Sequence, residues 1–336
     1  MDMRDAPHLL HSLGKLQAYG QVKVQAVLLE AAACRVAQIS DELTSQGVAN
    51  SMWGVGSIGA EAIGADLTTQ VVNSLLTRAE ATLATSSAHE VAQIIWGLGR
   101  LEHEPSQTLM ELLQARAEEE MDSFTSQGLG NLAWALGRLG IAPSNSLLEA
   151  IMVRSMACMQ DFSSQELANF LWGFAKLSPY GVTMSSEVMF SLQTHATRTH
   201  ADWRPQEVSN LFWALSKLQV GMKPNLEAVM VMVAEEKAPE FTAQGLANIT
   251  WAIGRSKILV EYEFWQAIQE SAEEIIDTFD AQNLSNLIWG FAQFSIVLNP
   301  SFLLAFQKQA LVVAPTFTCK GLGMLLWGLA KFAGGL

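Results

Sequence analysis

Cysteine is scarce in this chain: 3 residues among 336, Cys34, Cys158 and Cys319, far apart and odd in number. That count excludes a disulfide framework and fits a reducing compartment. No pair has the CxxC spacing of a zinc site. His195 and His200, five apart, fall about 140° from one another on a helix and share no ligand face. Neither a metal nor a cofactor is expected. Long apolar runs are missing too. Half of the residues are hydrophobic, yet nothing approaches the roughly twenty consecutive apolar residues of a membrane span, so no membrane insertion is expected. The opening MDMRDAPHLL has neither an apolar stretch of signal-peptide length nor the Arg/Ser richness of a transit segment. Cations are also short, with 20 Lys+Arg against 33 Asp+Glu and a net charge of −13. Such a balance argues against a nucleic-acid partner unless the cations are gathered locally.

Tryptophan, by contrast, is plentiful and ordered. Of 10 tryptophans, eight share one context: Trp53, Trp96, Trp134, Trp172, Trp213, Trp251, Trp289 and Trp327. Their separations are 43, 38, 38, 41, 38, 38 and 38 residues. A fixed period of this size marks a solenoid, in which each unit buries its apolar face by stacking on its neighbours. The two longer intervals place insertions near Ala60–Asp66 and Ser178–Ser185. The segments FTSQGLGNLAWALGRLG, FSSQELANFLWGFAKLS, FTAQGLANITWAIGRSK and FDAQNLSNLIWGFAQFS are copies of one helix, helix A. Nine residues before each Trp stands Thr44, Ser87, Thr125, Ser163, Arg204, Thr242, Asp280 or Thr318. All but Arg204 are good N-caps, because a side-chain oxygen there accepts an exposed backbone N–H. Glu90, Glu166 and Glu207 occupy the capping-box position, the last without a Ser or Thr partner. A second helix, B, follows a short link, with Pro105, Pro143, Pro224 and Pro300 expected in its first turn.

No strand candidate exists, so the expected fold is all-α: one α-α superhelical solenoid domain over 1–336, of about eight two-helix repeats with a 38-residue period. Its units run 43–85, 86–123, 124–161, 162–202, 203–240, 241–278 and 279–316. A degenerate unit at 1–42 precedes them, with APHLLHSLGKLQAYG as helix A and His11 at the tryptophan position. A partial unit at 317–336 ends in FAGGL. Both ends look cut within the array, as in a fragment or an unusually capped protein.

The motif MWGVGSIG contains Gly54, Gly56 and Gly59 at the G-x-G-x-x-G spacing of a dinucleotide loop. The preceding TSQGVANSM lacks the β-branched strand that such a loop requires. Its register matches AWALGRLG and LWGFAKLS, so close helix packing explains these glycines better than a phosphate does.

With the tryptophan at 0°, positions seven before, three before and four after fall near about 20°, 60° and 40°, on one stripe. The first holds Gln46, His89, Gln127, Gln165, Gln206, Gln244, Gln282 and Lys320. The second holds Asn50, Gln93, Asn131, Asn169, Asn210, Asn248, Asn286 and Met324. The third holds Ser57, Arg100, Arg138, Lys176, Lys217, Arg255, Gln293 and Lys331. Amides can pair with base edges, cations with phosphates and aromatic faces with splayed bases, so this stripe is the candidate surface for single-stranded RNA. No DNA is expected. The eight windows around the tryptophans carry eight basic and four acidic residues, a balance of +4, while the rest of the chain carries −17. Other roles are open for each group: tryptophans as packing between repeats, amides as a ladder tying repeats together, and cations as solvated helix ends favoured by the macrodipole.

The segment Gln165–Leu177, QELANFLWGFAKL, resembles octotricopeptide repeats. It is also similar to the helical repeats of organellar proteins with FAST-kinase-like or RAP domains and to those of RNA-editing substrate-binding complex subunits. The resemblance implies organellar RNA binding, mitochondrial or chloroplast, with roles in transcript stability, processing or translation. A protein-binding scaffold is the alternative. An enzyme is not expected, since no nucleophile–base constellation, carboxylate pair or phosphate loop stands out.

Overall fold

A computed structural model describes residues 5–18, 20 and 24–333. Tyr19 of the degenerate first helix and Gly334, Gly335 and Leu336 of the final FAGGL lie outside the described residues. Among the described residues the chain forms eighteen α-helices, nine 3₁₀ turns and no strand. It is an α-α solenoid. Its contacts group into two compact units, Met1–Ser191 and Leu192–Leu336.

The first unit holds α1 (Asp5–Ala18), α2 (Ala26–Gln38), α3 (Ser45–Ile58), α4 (Ala60–Ile63), α5 (Ala65–Thr82), α6 (Ala88–Leu101), α7 (Gln107–Glu119), α8 (Ser126–Leu139), α9 (Asn145–Ala157) and α10 (Ser164–Leu177). Helix α11 (Ser186–Thr199) crosses the division. The second unit holds α12 (Pro205–Leu218), α13 (Pro224–Glu236), α14 (Ala243–Ser256), α15 (Tyr262–Glu274), α16 (Ala281–Gln293), α17 (Pro300–Val312) and α18 (Cys319–Ala333). Helix A packs on helix A in series: α1, α3, α6, α8 and α10 in the first unit, and α12, α14, α16 and α18 in the second.

All seven expected side-chain caps form. The side chains of Thr44, Ser87, Thr125, Ser163, Thr242, Asp280 and Thr318 each accept the N–H three residues on. Ser87 with Glu90 and Ser163 with Glu166 complete capping boxes. At Arg204 only the returning half exists, because a guanidinium has no acceptor: Glu207 takes the Arg204 backbone N–H at 2.5 Å. Pro224 and Pro300 open α13 and α17 as expected. Pro105 and Pro143 do not lie in a first turn. Each stands one residue before an N-cap, Ser106 or Ser144, whose hydroxyl accepts from Leu109 or Leu147; the cap oxygen, rather than the proline ring, sets the start. The first insertion folds into α4 between Gly59 and Gly64, at φ 86° and 94°. The second forms a 3₁₀ turn at Ser178–Tyr180.

The apolar side of helix A is buried, including Val91, Ile94 and Leu98 of α6 and Leu167, Phe170 and Phe174 of α10. Each Leu or Phe so placed contributes about 1.5–3 kcal/mol. Helices A approach closely through a small residue after the tryptophan. A Cβ on Gly173 would lie 2.1 Å from the Ala133 carbonyl oxygen, and one on Gly97 2.7 Å from that of Met52. Gly54 and Gly56 of MWGVGSIG serve the same contact. A Cβ on Gly54 would meet the Leu10 carbonyl at 2.7 Å, one on Gly56 the Gly97 Cα at 3.0 Å, and Gly59 caps α3.

Candidate nucleic-acid interface

The stripe positions keep one environment from repeat to repeat. In the first unit Gln46, His89, Gln127 and Gln165 are exposed, and Asn50, Asn131 and Asn169 are half-buried. Gln93 departs from them at 6 % exposure. In the second unit Gln206, Gln244, Gln282 and Lys320 are exposed, while Asn210, Asn248, Asn286 and Met324 are half-buried. Four residues after the tryptophans, Arg100, Arg138, Arg255 and Lys331 are exposed, and Ser57, Lys176, Lys217 and Gln293 are half-buried. Helical periodicity predicts this order, since the positions seven before, four after and three before the tryptophan lie about 160°, 140° and 120° from the core-facing side.

The tryptophans pack between repeats. In the first unit His11 and Trp53 lie 4.4 Å apart, Trp53 and Trp96 5.6 Å, Trp96 and Trp134 6.4 Å, and Trp134 and Trp172 6.1 Å, ring centre to ring centre. Trp289 and Trp327 of the second unit are 6.3 Å apart. Such pairs add about 0.5–1.5 kcal/mol each beyond area burial. The cations four residues on fold back over their own tryptophans: Arg100 on Trp96 at 5.8 Å, Lys176 on Trp172 at 5.1 Å, Arg255 on Trp251 at 5.4 Å and Lys331 on Trp327 at 5.5 Å. Ring attraction and the negative helix end both hold positive charge there. Arg138 instead pairs with Glu102, the left-handed residue ending α6.

A tying ladder exists, but on helix B. Gln114 accepts the Ser144 N–H at 3.0 Å, Gln193 that of Lys223 at 2.8 Å and Gln269 that of Asn299 at 3.1 Å. Arginines reinforce it. Arg78, Arg116 and Arg154 donate from Nε to the carbonyls of Leu43, Ser86 and Phe124 at 2.6, 2.8 and 2.8 Å. Sequence reasoning overlooked these groups, although the three arginines recur at the 38-residue period. Among the described residues, the side chains of Asn50, Asn131, Asn169, Asn210, Asn248 and Asn286 make no hydrogen bond within the protein. They are half-buried amides with unused donors and acceptors.

Several concavities meet the stripe, among them one of about 470 Å³ in the first unit beside Gln46 and Asn50. In the second unit one of about 540 Å³ is lined by Trp213, Lys217, Trp251, Gln282, Asn286 and Lys320, among others. In the first unit one of about 190 Å³ lies among α1, α3, α6 and α8. Among the described residues no helix is long and apolar enough to cross a membrane.

Stacked two-helix units with a recurrent polar stripe on helix A define a helical-repeat protein of the α-solenoid class. More narrowly, the chain belongs to the RNA-editing substrate-binding complex 6 protein family, whose family model matches residues 68–261, more than half of its length. This bears out the resemblance to RNA-editing substrate-binding complex subunits and says nothing of octotricopeptide or FAST-kinase and RAP proteins. No curated protein matches the chain.

Proposed function

We propose that this chain is a non-catalytic subunit of a mitochondrial RNA-editing assembly that binds single-stranded RNA along the helix A stripe and works with protein partners. The family match supports a place in RNA editing and gives the chloroplast alternative no support. The observation that carries the RNA reading is the set of six half-buried helix A asparagines without an internal hydrogen bond, in register with a row of cations. An amide presents donor and acceptor together, matching a base edge, and the neighbouring Lys and Arg are placed for phosphates. Residues assigned to the RNA are Gln127, Gln165, Gln206, Gln244, Gln282, Asn131, Asn169, Asn210, Asn248 and Asn286 for bases. Arg100, Arg138, Lys176, Lys217 and Arg255 are assigned to phosphates.

The test is titration with single-stranded RNA at two salt concentrations. For the wild type, affinity falls as salt rises. A variant with Arg100, Arg138, Lys176, Lys217 and Arg255 all changed to Gln binds more weakly. Its log–log salt slope is shallower by about 0.7 for each phosphate contact removed. Equal affinity and slope in the two proteins would overturn the phosphate assignment.

A further inference from the structure

Three departures from the helix A pattern meet in one place. His11 stands at the tryptophan position of the first repeat, while His89 and Gln93 replace the usual Gln and Asn of the repeat at 86–123. All three line the 190 Å³ cavity of the first unit, together with Trp53, Gln127 and Asn131. Two polar atoms here are buried and lack a partner, Gln93 Oε1 and His11 Nδ1. Gln93 is only 6 % exposed, so water does not readily compensate its oxygen. A buried unpaired acceptor is costly and rare in a native fold, and a ligand that supplies the missing donor accounts for its presence.

The lining defines that ligand. Trp53, tilted against His11 and stacked on Trp96, forms part of the wall. The polar lining is made of amides, imidazoles and the Lys15 ammonium, the last placed for a phosphate rather than a base edge. Burial first, then the charges of Lys15, His8 and His89, hold the His11 imidazole below its ordinary pKa. It is therefore neutral near pH 7, with one nitrogen donating and the other accepting. A planar heterocycle with alternating N–H and acceptor atoms on its edge complements this set.

We infer that this cavity is a single-nucleobase pocket for RNA: Gln93 Oε1 accepts an N–H from the base edge, and Asn131 and Gln127 complete its recognition. The inference rests on the RNA-binding reading above and adds base selectivity at one defined position.

The full chain is titrated with four homopolymeric single-stranded RNAs and, separately, with the four nucleoside 5′-monophosphates. Wild type distinguishes the best from the worst homopolymer by about tenfold, the discrimination one amide–base pair supplies. In Gln93→Met that ratio collapses toward one while the salt slope stays at the wild-type value. The free variant melts at a higher temperature, because the orphan acceptor is gone. A purely structural Gln93 predicts the opposite, a lower melting point and an unchanged preference. Asn131→Ala, which breaks no internal hydrogen bond, reports on the same pocket if Gln93→Met fails to fold. RNA binding with the same preference in wild type and in both variants overturns the pocket and leaves the RNA reading standing. Absence of RNA binding by the wild type overturns both. Tight monophosphate binding without discrimination among RNAs overturns the proposal in favour of a free-nucleotide site.

Discussion

Gly173 and Gly323 both lie inside helices A, yet alanine at the two positions is expected to act with opposite signs. At Gly173 the new Cβ would stand 2.1 Å from the Ala133 carbonyl oxygen, so α10 must move away from α8. Such overpacking costs about 1–3 kcal/mol. At Gly323 nothing lies within 4 Å, and the higher helix propensity of alanine is worth about 1 kcal/mol. Urea unfolding should place the midpoint of Gly173→Ala below wild type and that of Gly323→Ala above it. Sequence alone showed a small residue after each tryptophan. Which backbone atom demands it, the carbonyl one residue before the preceding repeat's tryptophan position, is a fact of the packed helices.

Glutamine takes two roles here, set by the element that carries it. Gln269 on α15 is 2 % exposed. It accepts the Asn299 N–H at 3.1 Å and donates to the Val297 carbonyl at 3.2 Å, fastening α15 to the start of α17. Gln244 on α14 is exposed and makes no hydrogen bond within the protein. We expect Gln269→Leu to cost about 2 kcal/mol or more, since two backbone groups lose their partner. Gln244→Leu should stay within about 0.5 kcal/mol in stability and weaken RNA binding instead. Denaturation of both variants, with RNA titration of the second, checks the pair. Sequence marked the helix A amides by their register with tryptophan. The helix B amides escaped because only some repeats carry them: Met152 and Val231 stand 38 residues from Gln114 and Gln193.

At the scale of the whole molecule, charge opposes itself. The chain carries −13 overall, while its helix A windows carry +4. Added salt screens the repulsion among the acids and also the attraction of the stripe for phosphates. Raising salt from low to physiological strength should therefore raise the melting temperature of the free protein and lower its affinity for RNA. Melting and titration in matched buffers read both signs. Parallel loss of stability and affinity would show that the acids on helix B and the links do not repel one another appreciably.

The sequence by itself determined the repeat, its period, the helix A register, seven of the eight caps and the membership of each stripe. These depend on contacts within three or four residues or on a pattern copied along the chain, and both are written locally. Tertiary structure decided what those residues meet. It packed the tryptophans against one another, put Arg100, Lys176 and Arg255 over them, moved the tying ladder to helix B, and brought His11, His89 and Gln93 to one cavity. Such meetings join residues dozens of positions apart, and only the docking of successive helices fixes which atoms face each other.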